Sequence, residues 1–431
     1  MALPPHYENP SEYFEEVVLF FKNYQHLFNF PNTDILVNNI LEKIDISDLQ
    51  DVDVFDENFN LFALKSDYLT DFFENYMRLR VDLQDFENKE LEFLIDVPLS
   101  QKKKHEIAYL AKEIDDLCKD IKCDTIVDFG SGLGYLDQQL HKTTNYNVLG
   151  LECNETNYVG AKKRQRKYHI DSIDKVKYIK HRITDNSHIN IEEYLNDKFP
   201  NFTSFCITGL HACADLSIDA INLFLKMEKA KALIIMPCCY HRLAIDNGKF
   251  TSFPLSNTLK DIYQKCGYDF LSVPFLRLAT QPPNVCEEKL ENLVFNLLAR
   301  AVLQLYSAKH NCKIKRNKRK AVRLKSMENN FEEYIQDAII GFALVNNESE
   351  NDKINFDVEE LKSIWRQISN VTFKKVAIFV LLQNYLQPVF ENFVLYDRLV
   401  YLQEKGVNNS KFKKIVNEKI SPRCLALLSQ K

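Results

Sequence analysis

The chain has 431 residues, 45% of them hydrophobic and 27% charged, a balance that predicts a globular protein with core enough for one large elaborated domain or two. A net charge of −5 excludes any global attraction to nucleic acid or an anionic membrane, and no apolar run approaches the length of a spanning helix. Eleven cysteines, an odd number without a framework, and an N-terminus lacking the basic and apolar regions of a secretory leader predict a reducing compartment, cytosol or nucleus.

Residues 1–96 read as a helical lobe. Asn9 offers an N-cap and Pro10 the first position of a helix running through Phe21, and a second helix sets Leu64, Tyr68, Phe72, Tyr76 and Leu79 on one face. Between positions 42 and 96, sixteen acids stand against five bases. Such a surface repels phosphate and suits a protein partner better than RNA.

Positions 100–120 form one helix with a stripe of Ile107, Leu110, Ala111, Ile114, Leu117 and Cys118, which packs it on the sheet that follows. Its first turn carries Lys102, Lys103, Lys104 and His105. Cations there oppose the helix dipole unless something anionic sits nearby. A solvated basic face is the other reading.

Residues 125–136, TIVDFGSGLGYL, organise the rest: three of the ten glycines, Gly130, Gly132 and Gly134, fall within five positions. The segment reads as strand, tight turn and helix, with glycine where a ligand approaches the backbone. The dinucleotide pattern G-x-G-x-x-G fails, because the third position counted from Gly130 is Tyr135. The acid-x-G-x-G-x-G pattern instead resembles motif I of the class I S-adenosylmethionine-dependent methyltransferases. That resemblance implies S-adenosyl-L-methionine as cofactor, with Asp128 serving its amino group and Lys103 and His105 near its carboxylate. Strand two ends at Glu152, a carboxylate placed to accept both ribose hydroxyls.

A third strand is predicted over 176–183, ending at Asp185, whose carboxylate could accept from an adenine amino group as methyltransferases of this class arrange it. Residues 205–208 and 232–236 read as strands four and five, with a helix between, so a parallel sheet should present its ligand groups at the strand C-terminal ends. Those ends carry Gly209-Leu210-His211-Ala212-Cys213-Ala214-Asp215 and Pro237-Cys238-Cys239-Tyr240-His241-Arg242. Three readings compete: an acceptor pocket in which His211, Tyr240 or His241 orients the nucleophile or takes its proton, a zinc site, or covalent catalysis by cysteine. The site assigned to acceptor chemistry is His211, Tyr240 and His241, with no metal.

The motifs GLHACADLS at 209–217, CCYHRL at 238–243, LSQKKKHE at 99–106, LYDRLVYLQE at 395–404 and SPRCLALLSQK at 421–431 resemble the methyltransferase-like protein 25 family, some of whose members are named for a ribosomal RNA adenine dimethylase domain. The two strand-end motifs are also similar, more remotely, to ribose-methylating tRNA enzymes. The resemblance implies a class I methyltransferase: an α/β, Rossmann-like seven-stranded sheet, methylating RNA ahead of protein. A catalytically silent scaffold of the same fold is the alternative.

The methyltransferase core is then 97–281, with strand six at 270–276. Residues 282–410 are a helical insertion before the last strand, and 411–431 return to the sheet through a strand at 424–428. Inside the insertion, residues 313–325, from Lys313 to Lys325, hold eight bases and no acid. They could contact RNA phosphates, serve as a nuclear import signal or remain a solvated loop.

Overall fold

The computed structural model describes residues 3–431 apart from 47–48, 84–85, 282–289, 318–321, 323–329 and 348–352. The chain divides into two compact units, Met1–Val18 with Arg80–Pro282 and Phe390–Lys431, and Leu19–Leu79 with Pro283–Val389.

The first unit is built on a seven-stranded sheet. In chain order its strands are β1 (Thr125–Phe129), β2 (Asn147–Glu152), β3 (Val176–Lys180), β4 (Phe205–Cys213), β5 (Ala230–Cys238), β6 (Ser410–Lys414) and β7 (Leu425–Gln430). They lie in the order β6-β7-β5-β4-β1-β2-β3. The first five run parallel, and β7 lies antiparallel to β5 and to β6. β1 is buried along its whole length, as expected of a parallel strand covered on both faces. The order reverses between β1 and β4, so a ligand crevice opens beyond their C-terminal ends.

Helix α1 (Gln101–Ile121) begins where Ser100 Oγ accepts the Lys103 backbone N–H at 3.3 Å. Its predicted stripe is buried in a single cluster with Ile126, Val148, Cys206, Ile234 and Leu428. Each such aliphatic side chain contributes about 1.5–3 kcal/mol on burial. Helices α2 (Tyr135–Thr143), α3 (Glu155–Tyr168), α4 (His188–Lys198) and α5 (Leu216–Lys226) complete the crossovers.

Strand six is not at 270–276. There Ser272 Oγ accepts the Phe275 backbone N–H and Pro274 sits in the first turn, so Val273–Ala279 is a helix. Phe275 packs at 4.6 Å on Phe390 and faces Phe393. The edge place falls to β6, and the long helical excursion precedes the last two strands together. Strand three stops at Lys180, short of its predicted end, and β4 and β5 run further than predicted, to Cys213 and Cys238.

In the second unit, residues from the predicted N-terminal lobe and the predicted insertion bury each other, so the division falls at 18/19, 79/80 and 389/390 rather than at 96 and 410, while the boundary near 282 stays. Tyr24 meets Phe72 edge-on at 5.0 Å, Tyr385 meets Phe73 at 5.1 Å, and the Gln383 amide donates to the Leu27 carbonyl at 2.6 Å. Helices Leu290–Lys309, Phe331–Gly341 and Val358–Arg366 flank a three-stranded antiparallel sheet of Cys312–Arg316, Phe342–Asn346 and Lys353–Ile354. Trp365 stacks on Phe331 at 4.1 Å. Of the basic run, Lys313, Lys315 and Arg316 lie on a paired strand, while 318–321 and 323–325 are outside the described residues.

Candidate functional site

The cradle forms where β1 ends. Gly130, Gly132 and Gly134 all take positive φ, at 79°, 60° and 75°. A Cβ on Gly134 would collide with the Tyr178 hydroxyl, so that glycine is demanded by close packing. Around Gly132, by contrast, a Cβ would meet nothing nearer than 3.9 Å: the space beside this backbone is open. The Gly132 N–H donates to Glu152 Oε2 at 2.9 Å and the Asn154 N–H to Oε1 at 2.7 Å. Two backbone donors thus fix the Glu152 carboxylate at the tip of β2 and leave each oxygen a further lone pair.

Asp128 is 2% exposed, and its Oδ1 has no hydrogen-bond partner among the described residues. Burial pushes its carboxyl up to about 7, opposed by the adjacent Asp137 carboxyl and by the charge of Lys103. Asp137, in the first turn of α2, is fully buried and pushed well above the carboxylate range by burial and by Asp128. Its two oxygens and Ser131 Oγ are also without partners among the described residues. Two buried carboxyls side by side with so few donors make a site that calls for a cation.

His105 does not join this cradle. Its Nε2 accepts the Asn417 backbone N–H at 3.0 Å and its ring packs against Tyr109 and Phe86, so it holds the fold. Asp185 is committed elsewhere too. Lys226 Nζ donates to both of its carboxylate oxygens at 3.0 Å and to its carbonyl at 2.9 Å, which leaves it turned toward the end of α5 rather than toward an adenine.

At the strand tips, β4 carries a register shift between Gly209 and Ala212, and His211 within it takes φ 62°. A left-handed non-glycine residue costs on the order of 1–3 kcal/mol and must be held by its surroundings. The holding group is Glu106 of α1, 1% exposed, whose Oε2 lies 3.0 Å from His211 Nε2 and whose Oε1 accepts the Ser421 hydroxyl at 2.7 Å. Burial alone would raise the Glu106 carboxyl, but the hydrogen bonds from His211 and Ser421 and the His211 and Lys103 charges outweigh it and hold it below its usual range. With Nε2–H given to Glu106, His211 Nδ1 is left as an acceptor.

Tyr240 is not an acceptor contact. Left-handed Cys239, φ 53°, folds the following turn inward and buries Tyr240 to 1%. Its hydroxyl donates to Glu391 Oε1 at 3.2 Å, an oxygen that also receives Arg423, and the Arg398 guanidinium lies 5.2 Å over its ring. His241 remains partly exposed, with Nδ1 3.3 Å from Thr280 Oγ1. Burial first, then the charges of Arg277, Arg242 and Arg423, lower its pKa.

Beside His211, the sulfurs of Cys213, Cys238 and Cys239 all lie within 4.8 Å of one another. The Cys238 hydrogen bond holds the Cys213 thiol down, against burial, to about 6, while Cys238 is raised.

Sequence reasoning missed Glu106 and Asp137. Glu106 was detectable: it stands four positions before Leu110 and eight before Ile114, a carboxylate on the apolar stripe itself. Asp137 gave no such signal.

Residues 102–246 match a family described as a methyltransferase domain, a span that contains Asp128, the glycine turn, Glu152, His211 and the cysteines of both strand tips. The chain is 25% identical over 260 residues to the Mus musculus protein called "Probable methyltransferase-like protein 25", and 24% identical over 257 residues to the Homo sapiens protein of that name. These matches support the methyltransferase-like protein 25 family as the one this chain resembles. Each match covers 57% of this chain and 40% of the relative, so the chain spans about two-fifths of the length of these family members.

Among solved structures it is similar to a ribosomal protein L11 methylase from Lactobacillus delbrueckii subsp. bulgaricus, with TM-score 0.22, 17% identity, 34% of this chain and 64% of that one. It is also similar to magnesium protoporphyrin IX methyltransferase from Synechocystis with bound SAM, at 0.22, 11%, 33% and 65%. The fold assignment rests on the sheet order and the family match, not on these likenesses.

Proposed function

We propose that the chain is an S-adenosylmethionine-dependent methyltransferase of a reducing compartment, cytosol or nucleus, with RNA favoured over protein as acceptor. The observation that carries this reading is the Asp128 carboxylate, whose Oδ1 has no partner among the described residues, sealed at the end of β1 beside a glycine turn with open space. It suits the cationic amino group of the donor, and the free lone pairs of Glu152 suit the ribose hydroxyls. Lys103, whose charge acts on Asp128, suits the donor's carboxylate. When bound, the donor supplies a sulfonium methyl that needs no further activation.

The chain's own task is to align the acceptor and take its proton. Glu106 fixes the His211 ring so that Nδ1 can act as the base. His241, with the exposed Arg242 and Arg277 in electrostatic range, offers ground for acceptor phosphate, which favours RNA. Calorimetry with S-adenosylmethionine and its demethylated product tests the donor half. No heat with either, at protein concentrations that detect tens-of-micromolar affinity, refutes it. Labelled donor incubated with total RNA and total protein tests the acceptor. Label in protein alone overturns the RNA assignment, and donor binding with label in neither favours a silent scaffold.

A further inference from the structure

The three thiols at the strand tips have no part in the donor cradle, and the base assigned above is His211. Their placement is nevertheless determined by backbone rather than by flexible side chains. Cys213 and Cys238 are register partners on the parallel neighbours β4 and β5, and the Ala214 N–H donates to the Cys238 carbonyl at 3.0 Å just past that pair. Cys239, turned back by its left-handed φ, brings the third sulfur in from the same strand end. The Cys213–Cys238 and Cys213–Cys239 sulfur separations are 2.9 and 3.8 Å.

We infer that Cys213, Cys238 and Cys239 form a site for a soft divalent cation, zinc, with its fourth position left for water or a substrate atom. Four sulfurs at about 2.3 Å around tetrahedral zinc lie about 3.8 Å apart. The Cys213–Cys239 separation already matches that spacing, and the Cys213–Cys238 pair reaches it by opening less than about 1 Å. Thiolates are the ligands that select zinc among the common divalent ions. Among the described residues the group comprises three ligands, one short of a closed structural site. That count is the arrangement of zinc sites that keep an exchangeable position. The excess negative charge of three thiolates on zinc is met by Arg242, in electrostatic range of Cys213.

The adjacent Cys238 and Cys239 do not follow the C-x-x-C spacing of zinc motifs. The third ligand comes instead from the neighbouring strand, so the set appears only when β4 and β5 pair. The inference does not depend on methyl transfer.

The test is elemental analysis of the full chain purified under reductant without chelator, followed by cobalt substitution. Stoichiometric zinc, and an intense thiolate-to-cobalt charge-transfer band with tetrahedral ligand-field bands, are expected. Cys213→Ser and Cys239→Ser should each drop bound zinc to a trace and weaken the charge-transfer band. Cys266→Ser, in the same unit but outside the cluster, should keep both. Circular dichroism of each variant checks that it is folded; if the serine variants unfold, the wild-type cobalt spectrum decides alone. Wild-type protein with sub-stoichiometric zinc and no charge-transfer band after cobalt titration overturns the site. So does a Cys213–Cys238 disulfide in protein kept under reductant, or full zinc retention in the folded serine variants.

Discussion

The cradle and the strand tips stand at the same end of one sheet but are assembled over different lengths of chain. In the cradle, the Gly132–Glu152 bond joins residues 20 positions apart. At the tips, the Glu106–His211 bond spans 105 positions and the Ser421–Glu106 bond 315. Local turns fix the first site, whereas the second exists only after α1 and the chain's last segment have docked on β4. On the proposed function, the donor would meet a surface preset by one strand-turn-helix unit, and the acceptor one that depends on the whole first unit being folded.

The sharpest way to break this contrast is at His211. His211→Ala should slow methyl transfer by roughly two to four orders of magnitude, the usual worth of a positioned base, while donor affinity measured by calorimetry stays as in the wild type. Glu106 acts through His211 and is a positioning residue. Glu106→Gln should shift the pH profile of turnover and lower its maximum less than the alanine change does. Loss of donor affinity in His211→Ala would merge the two sites into one.

The next largest effect lies in the cradle. Asp128→Asn should weaken donor binding by roughly 10- to 100-fold, the loss of a charge-assisted hydrogen bond. The pH dependence has a definite sign. Asp137, Glu152, Lys103 and Tyr178 surround Asp128, and burial lifts its carboxyl to about 7 in the free protein. Only the ionised form attracts the donor's ammonium, so binding releases a proton. Affinity should therefore fall as pH drops below about 7, by up to about tenfold per unit, and Asp128→Asn should flatten that slope. For the folded protein without donor, a raised carboxyl favours the protonated state, so its contribution to stability declines as pH climbs from the ordinary carboxylate range toward 7.

Tyr240 gives a smaller effect, and on stability alone. Tyr240→Phe removes a hydroxyl donor from Glu391, which keeps Arg423, so unfolding should cost less by about 0.5–1.5 kcal/mol in a denaturant titration, with turnover unchanged. A hundredfold fall in turnover at intact stability would return Tyr240 to the acceptor site.

These variants also mark where the sequence was readable. The convergence of Asp128, the glycines and Glu152 at one strand end was legible because all of them lie within one βαβ stretch. The parallel α/β arrangement followed from alternating apolar runs and helical stripes, and the count of seven strands from the family resemblance. Strand six was misplaced because apolar content outweighed the Ser272 cap and Pro274, both visible in the sequence. Tyr240 and His105 were misassigned for a different reason. Their partners Glu391 and Asn417 lie 151 and 312 positions away, and no local pattern announces them. The convergence of Cys213 with Cys238 and Cys239 depends on the register of β4 against β5, which the strand-end motifs suggested but could not fix.

Asp185 provides the smallest expected change and the finest test. Its sequence position, just past β3, is where a carboxylate could meet adenine, yet its two oxygens are held by Lys226. Both side chains are substantially exposed, Asp185 at 49% and Lys226 at 39%, so the ion pair is worth only about 0–1 kcal/mol. Asp185→Ala should accordingly lower stability by no more than that and leave donor affinity within experimental error. Lys226→Ala should behave the same way, because neither residue reaches the cradle. The pair is weak enough that a bound adenine could compete for the carboxylate, which gives the measurement its discriminating power. If Asp185→Ala weakens donor binding about tenfold while Lys226→Ala strengthens it, the carboxylate leaves Lys226 when donor binds, and the adenine role predicted from its position holds in the complex.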